Sequence, residues 1–298
     1  MRLAWPEDRQ AAGAPPGAGG CRKVLRYAIL FSGMSFRRHV NGLELCYRTL
    51  VERLGFARDN IYVLNYDGSP GAFGDSTVET SDVWPGDSTR YRMVVHAAGS
   101  REAFQRVLST IGGKLTPEDQ LFINTMGHGG HHGGERGPDL LTYPYSNRYR
   151  RDEFCADLAL LPPHRSLVVL MAQCFSGGFN QAVIEASPAA STFIASATSE
   201  TRPSFMSLED GNWDSFQRNW VAALAGQDVD GSPLPGLGGR EISVREAFHH
   251  ACNCAARNPY DSPEFAARPD SAAATTLSEE TTPGVARGSC NPLISSLL

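Results

Sequence analysis

A histidine and a cysteine, each closing a short apolar run, are the residues of this chain best suited to chemistry. Gln120-Leu-Phe-Ile-Asn-Thr-Met-Gly-His128 leads into Gly129 and Gly130, and Arg165-Ser-Leu-Val-Val-Leu-Met-Ala-Gln-Cys174 leads into Phe175-Ser-Gly-Gly178. A thiolate is the attacking species in cysteine chemistry, yet a free thiol with a pKa of ~8.5 is mostly protonated at neutral pH. An imidazole within reach takes that proton and later returns it to a leaving amine. A helix starting at the Gly177-Gly178 turn would aim its positive end at the sulfur. The glycines after both residues let backbone N–H groups approach an oxyanion with no Cβ in the way, so the amides of Gly129 and Cys174 are the expected oxyanion donors.

The elements that must position this pair follow from the pattern around it. Both runs read as buried strands, being short, apolar, partly β-branched and bounded by turn formers. If they lie parallel in one sheet, His128 and Cys174 emerge at the same carboxyl edge, where open α/β sheets place their ligand crevice. Upstream, Val24–Phe31 is a strand. Asn41 with Glu44 resembles a capping box, and Leu43, Tyr47, Leu50, Val51 and Leu54 recur at helical spacing up to Gly55. Ile61–Asn65 closes a βαβ unit. Residues 68–100 read as an irregular excursion. Further helices are expected over Arg101–Ile111, Arg151–Leu160, Gly178–Ala186, Asp214–Leu224 and Ser243–Arg257, with a strand at Ser191–Ser196. Strands alternating with helices predict an α/β fold with a mostly parallel sheet covered on both faces. Residues 1–22 are expected to form a flexible leader, 23–265 the single domain, and 266–298 a poorly packed tail.

Composition excludes several function classes. A formal charge of -5 gives no electrostatic case for nucleic acid, and Arg148, Arg150 and Arg151 read as a solvated helix entrance. No apolar stretch approaches the ~20 residues that span a bilayer. The seven cysteines are odd in number and scattered, which with no signal-like N-terminus predicts reduced thiols and a cytoplasmic location. Arginine far outnumbers lysine (Lys23 and Lys114 alone), which suggests a bacterial source. No cofactor is expected. His131 and His132 read as loop histidines rather than metal ligands, Cys252 and Cys254 as one packed and one exposed thiol on a helix, and Trp213 and Trp220 as core aromatics.

The segments Gly127-His128-Gly129 and Ala172-Gln173-Cys174-Phe175-Ser176-Gly177-Gly178 resemble those of the caspase/legumain-like clan of cysteine peptidases. The separation, 174 minus 128, is 46 residues, near the ~50 found in caspases. Tyr47–Phe56 followed by Asn60–Gly68 is similar to the first βαβ unit of the legumain family. The resemblance covers about residues 24 to 225. It implies a caspase-like three-layer α/β/α sandwich on an about six-stranded sheet, with a substrate pocket beside the thiol. On the same resemblance, Arg38 and His39 ahead of the first helix, Ser204, and Asp214 before a tryptophan-bearing helix would bind the substrate side chain. An arginine facing an aspartate suits a carboxamide, so the expected preference before the cut is asparagine or aspartate. The pattern departs at Ala172, where an acidic residue is expected, and at Phe36, where an asparagine is expected. A basic pocket on Arg37 or Arg38 would favour acidic residues, and an acidic one on Asp214 or Glu200 basic residues.

The leading expectation is a cysteine endopeptidase acting on protein or peptide substrates, with Cys174 as nucleophile and His128 as base and acid. The alternatives are a catalytically inactive caspase-like scaffold that binds protein partners, and a metal-dependent hydrolase built on the histidine loop. The sequence leaves the oligomeric state open.

Overall fold

The computed structural model describes residues 24–73, 83–131, 137–144, 147–255 and 261–278. The expected leader at 1–22 lies outside them. Seven strands form the main sheet: β1 (Arg26–Ser32), β2 (Ile61–Asn65), β3 (Val95–Ala97), β4 (Gln120–Met126), β8 (Ser166–Met171), β9 (Ser191–Ser196) and β10 (Glu264–Arg268), in the order β10-β9-β8-β4-β1-β2-β3. All neighbours pair in parallel except β9 and β10. A second, antiparallel sheet holds β5 (Gly129–His131), β6 (Pro138–Thr142) and β7 (Asn147–Arg150).

Strand alternation divides the apolar side chains between two cores. Ala28, Leu30, Val63, Phe122, Val168 and Phe193 face one side, beneath α1 (Arg37–Arg48), α5 (Ser215–Ala225) and α6 (Val244–Ala255). Ile29, Phe31, Leu64, Ile123, Val169 and Ile194 face the other, beneath α2 (Arg101–Gly112), α3 (Arg151–Leu158) and α4 (Asn180–Ala186). Strands buried on both faces read as continuous apolar runs, which is why they stood out in the sequence. The arrangement is a three-layer α/β fold. The tryptophans expected in the core are there: Trp213 meets Trp84 edge-on at 5.7 Å, and Trp220 stacks on Phe122 at 6.0 Å.

Three expectations need correction. The sheet has seven strands rather than about six, because Val95–Ala97 at one edge and the antiparallel Glu264–Arg268 at the other carry no long apolar run. The expected boundary at 265 falls inside β10, and the described residues beyond it, to 278, are packed, with the rest of the expected tail lying outside the described residues: Ala272, Ala273 and Leu277 are buried, and Arg26 donates to the Leu277 carbonyl at 2.7 Å. A run of alanines and threonines looks weakly structured by composition, yet small residues are what a sheet edge can cover closely.

The third correction concerns the first helix. It begins at Arg37, four residues before Asn41, and is capped by a side chain within its own first turn: His39 Nδ1 accepts the Phe36 N–H at 2.9 Å. Glu44 is no cap either. It is fully buried and accepts from Arg48 Nε at 2.6 Å, the Arg92 N–H at 2.7 Å and the Met93 N–H at 2.9 Å, tying the irregular 83–94 segment to α1. Glu44→Ala strands these donors and is expected to cost about 3–5 kcal/mol, since unanswered buried donors and a broken buried ion pair are both expensive. Urea denaturation measures this, and a loss below about 1 kcal/mol would mean water answers the donors instead.

Candidate functional site

Adjacent strands deliver the candidate residues to one edge. β4 and β8 run in register up to Thr125 opposite Met171, and His128 and Cys174 each follow three residues beyond that last pair, past the carboxyl ends of neighbouring strands. The pairing continues into the loops: the Ala172 N–H donates to the Thr125 carbonyl at 2.9 Å, and the Thr125 hydroxyl to Gln173 Oε1 at 2.8 Å. Gly127 makes the turn before the histidine with φ +101°, a value side chains disfavour. Gly129, just after it, lies so close to Cys174 that a Cβ there would overlap the Cys174 carbonyl oxygen.

Cys174 is half-buried, and its sulfur meets Ser204. The Ser204 N–H donates to Sγ at 3.3 Å, the thiol reaches the Ser204 carbonyl at 3.7 Å, and the Ser204 hydroxyl donates to the Ala172 carbonyl at 2.8 Å. The next residue, Phe175, is held left-handed at φ 62°, an uncommon conformation for a bulky side chain. Its N–H is bound by the Arg202 carbonyl at 2.9 Å, and its ring lies 5.5 Å from that of His131. The short 3-10 turn Ser176–Phe179 that starts here runs into α4.

His128 packs edge-on against Phe36 (4.6 Å between ring centres) and His39 (5.3 Å). Its Nε2 is buried with no hydrogen-bond partner among the described residues. Burial, and then the charge of Arg38, lower its pKa to about 4, so the ring is neutral at pH 7. Where the resemblance leads one to expect an asparagine, Phe36 contacts the imidazole through its ring instead of a hydrogen bond.

The four residues expected to bind a substrate side chain are brought together. Arg38 and His39 lie in the first turn of α1 rather than ahead of it. Arg38 Nε bonds Asp214 Oδ1 at 3.0 Å, and His39 Nε2 lies 3.5 Å from Asp214 Oδ2. Burial raises the Asp214 carboxyl to about 6 against the pull of Arg38, while burial followed by Arg38 and His128 keeps His39 well below its ordinary value. Ser204 joins them through its own strand-like segment, since Met206 bridges antiparallel to Asp214.

Sequence reasoning missed Asp261, which precedes β10. Its Oδ1 accepts the Phe205 N–H at 2.9 Å, and burial, with the Asp214 charge, raises its carboxyl to about 7. Nothing in Pro259-Tyr-Asp-Ser-Pro263 signals this, because only the antiparallel return of β10 carries the residue back to the site. Cys252 packs against the core with its thiol pushed up to about 11, and Cys254 Sγ lies 3.5 Å from His250 Nε2, so neither is freely exposed. Among the described residues no three His, Cys, Asp or Glu side chains are grouped to hold a metal ion. His132 lies outside them. A polar cavity of about 260 Å³ lined by Arg26, Gln120, Arg165 and Ser166 sits at the opposite, amino edge of the sheet. No helix among the described residues is long and apolar enough to cross a membrane.

No protein-family model and no curated protein matches the chain. The structure is similar to the crystal structure of protein GSU0716 from Geobacter sulfurreducens, with a TM-score of 0.54 and 15% sequence identity over 86% of this chain and 99% of that one. At that identity the likeness is one of fold.

Proposed function

We propose that the chain is a cysteine endopeptidase. Cys174 transfers its proton to His128 and attacks the peptide carbonyl carbon, and the negative oxygen is received by the N–H groups of Gly129 and Cys174. The His128 imidazolium then gives its proton to the leaving amine as the C–N bond breaks, and water hydrolyses the thioester with His128 as base. The observation that carries this reading is the in-register extension of β4 and β8, with Gly129 pressed against Cys174. A histidine that is neutral at pH 7 is the form able to accept the thiol proton. Arg38, His39, Ser204 and Asp214 would line the site for the side chain before the cut.

Alkylation tests the reading against an inactive scaffold. Burial pushes the thiols of Cys155 and Cys252 up to about 12 and about 11, and that of Cys46 higher still. Iodoacetamide at pH 7 should therefore label Cys174 at least about tenfold faster than these, because rate follows thiolate fraction and access. Site-resolved mass spectrometry reads the rates. Equal labelling would favour the scaffold.

A further inference from the structure

Asp261 presents a problem that its own chain does not solve. One carboxylate oxygen is satisfied by the Phe205 N–H, while Oδ2 is buried with no hydrogen-bond partner among the described residues. Asp214, 7% exposed, is close enough for its charge to be felt at Asp261, and its Oδ2 likewise lacks a hydrogen bond among the described residues. Among the described residues, two basic side chains meet Asp214. Arg38 is already engaged by Asp214 at 3.0 Å, and His39 is held neutral by burial. With both carboxyls ionised, the group of Arg38, His39, Asp214 and Asp261 carries one uncompensated negative charge. A buried carboxylate oxygen without a donor is costly, and the cost falls when a cation arrives. Burial, with the Asp214 charge added, raises the Asp261 carboxyl to about 7 against the pull of the Phe205 N–H.

The position fits a role in recognition. Phe205, which Asp261 holds, follows Ser204, whose N–H lies 3.3 Å from the Cys174 sulfur. The carboxylate thus grips the same extended segment that touches the nucleophile. We infer that Asp261 selects the substrate residue before the cleaved bond, pairing its unanswered oxygen with a basic side chain, lysine or arginine, while Asp214 stays with Arg38. The inference rests on the peptidase reading and names its substrate class. An aspartate side chain would add another negative charge where Arg38 is already spent, and an asparagine would bring donors but no charge. The cation preference therefore replaces the asparagine or aspartate preference implied by the resemblance.

The test uses the full chain carrying Cys174→Ala, which holds a peptide without cutting it. Calorimetry compares peptides that differ only in the residue before the scissile bond: arginine, its neutral isostere citrulline, asparagine and aspartate. At pH 8 the arginine peptide should bind at least about tenfold more tightly than the citrulline peptide, the usual worth of a hydrogen bond to a charged partner. Asp261→Asn in that background should bring the ratio near unity, and Asp261→Glu should restore part of it. Equal binding of arginine and citrulline, tighter binding of aspartate, or a ratio that survives Asp261→Asn overturns the inference. The arginine–citrulline comparison requires no change at Asp261, so it decides the matter even if that variant unfolds. Hydrolysis by the chain with Cys174 intact is scored separately. Cleavage without cation preference removes the role of Asp261 and leaves the peptidase reading standing; cation-selective binding without cleavage does the reverse; no peptide binding at all counts against both.

Discussion

Cys174→Ala is expected to lower kcat/KM for peptide hydrolysis by at least about 10⁴-fold, the scale on which loss of a covalent nucleophile is felt. The fold should barely register the change. The residue is half-buried at a loop, and its sulfur is held by the Ser204 N–H, hydroxyl and carbonyl at 3.3 to 3.8 Å. An unfolding free energy within about 1 kcal/mol of the parent is therefore expected, as for substitutions that neither open a cavity nor orphan a buried group. Steady-state kinetics on a fluorogenic peptide, paired with urea denaturation, measures both quantities. Residual turnover above a few per cent would show that some other group attacks the carbonyl.

Gly129→Ala is expected to lower kcat by about 10²–10³-fold, the usual effect of losing one oxyanion donor. The cause is steric. A methyl at this position would overlap the Cys174 carbonyl oxygen, with Gln173 Cγ a further 3.0 Å neighbour, and a backbone oxygen cannot rotate out of the way as a side chain can. The loop must move, and its N–H moves with it. Overpacking of this kind also costs about 1–3 kcal/mol of stability. Gly113→Ala is the natural control, since an added Cβ there meets only ordinary contacts at 3.6 and 3.8 Å. Kinetics that separate kcat from KM make the comparison, and a Gly129→Ala enzyme with kcat within threefold of the parent would remove Gly129 from the oxyanion site.

The sequence exposed the parts of this molecule whose physics is local. Leu121-Phe-Ile123 and Leu167-Val-Val-Leu170 announce buried parallel strands by composition alone, and His128 and Cys174 stand out because glycines follow them. Arg38, His39, Ser204 and Asp214 came into view through the resemblance, and they do converge: Asp214 touches both residues of α1, and Ser204 touches the thiol. What stayed hidden depends on contacts distant in the chain. Asn41 and Glu44 imitate a helix start, but Glu44 answers backbone donors 48 and 49 residues away, and the true cap is the imidazole of His39. Asp261 lies 56 residues from the N–H it holds. Val95–Ala97 and Glu264–Arg268 are too short, or too rich in alanine and charge, to read as strands before the sheet supplies their partners.

The strand order has a consequence for synthesis on the ribosome. β1 lies inside the sheet, flanked by β2 and β4, and later strands are added outward, with β10 last at one margin. A nascent chain can dock each new strand against one already in place, as domains that emerge amino end first tend to do. His128 and Cys174 directly follow β4 and β8, which precede β9 and β10 in the chain, whereas Asp261 arrives only with β10. On the reading above, the bond-breaking groups are gathered first and the discriminating carboxylate comes last, so a half-made chain would hold the means to cut before it holds the means to choose.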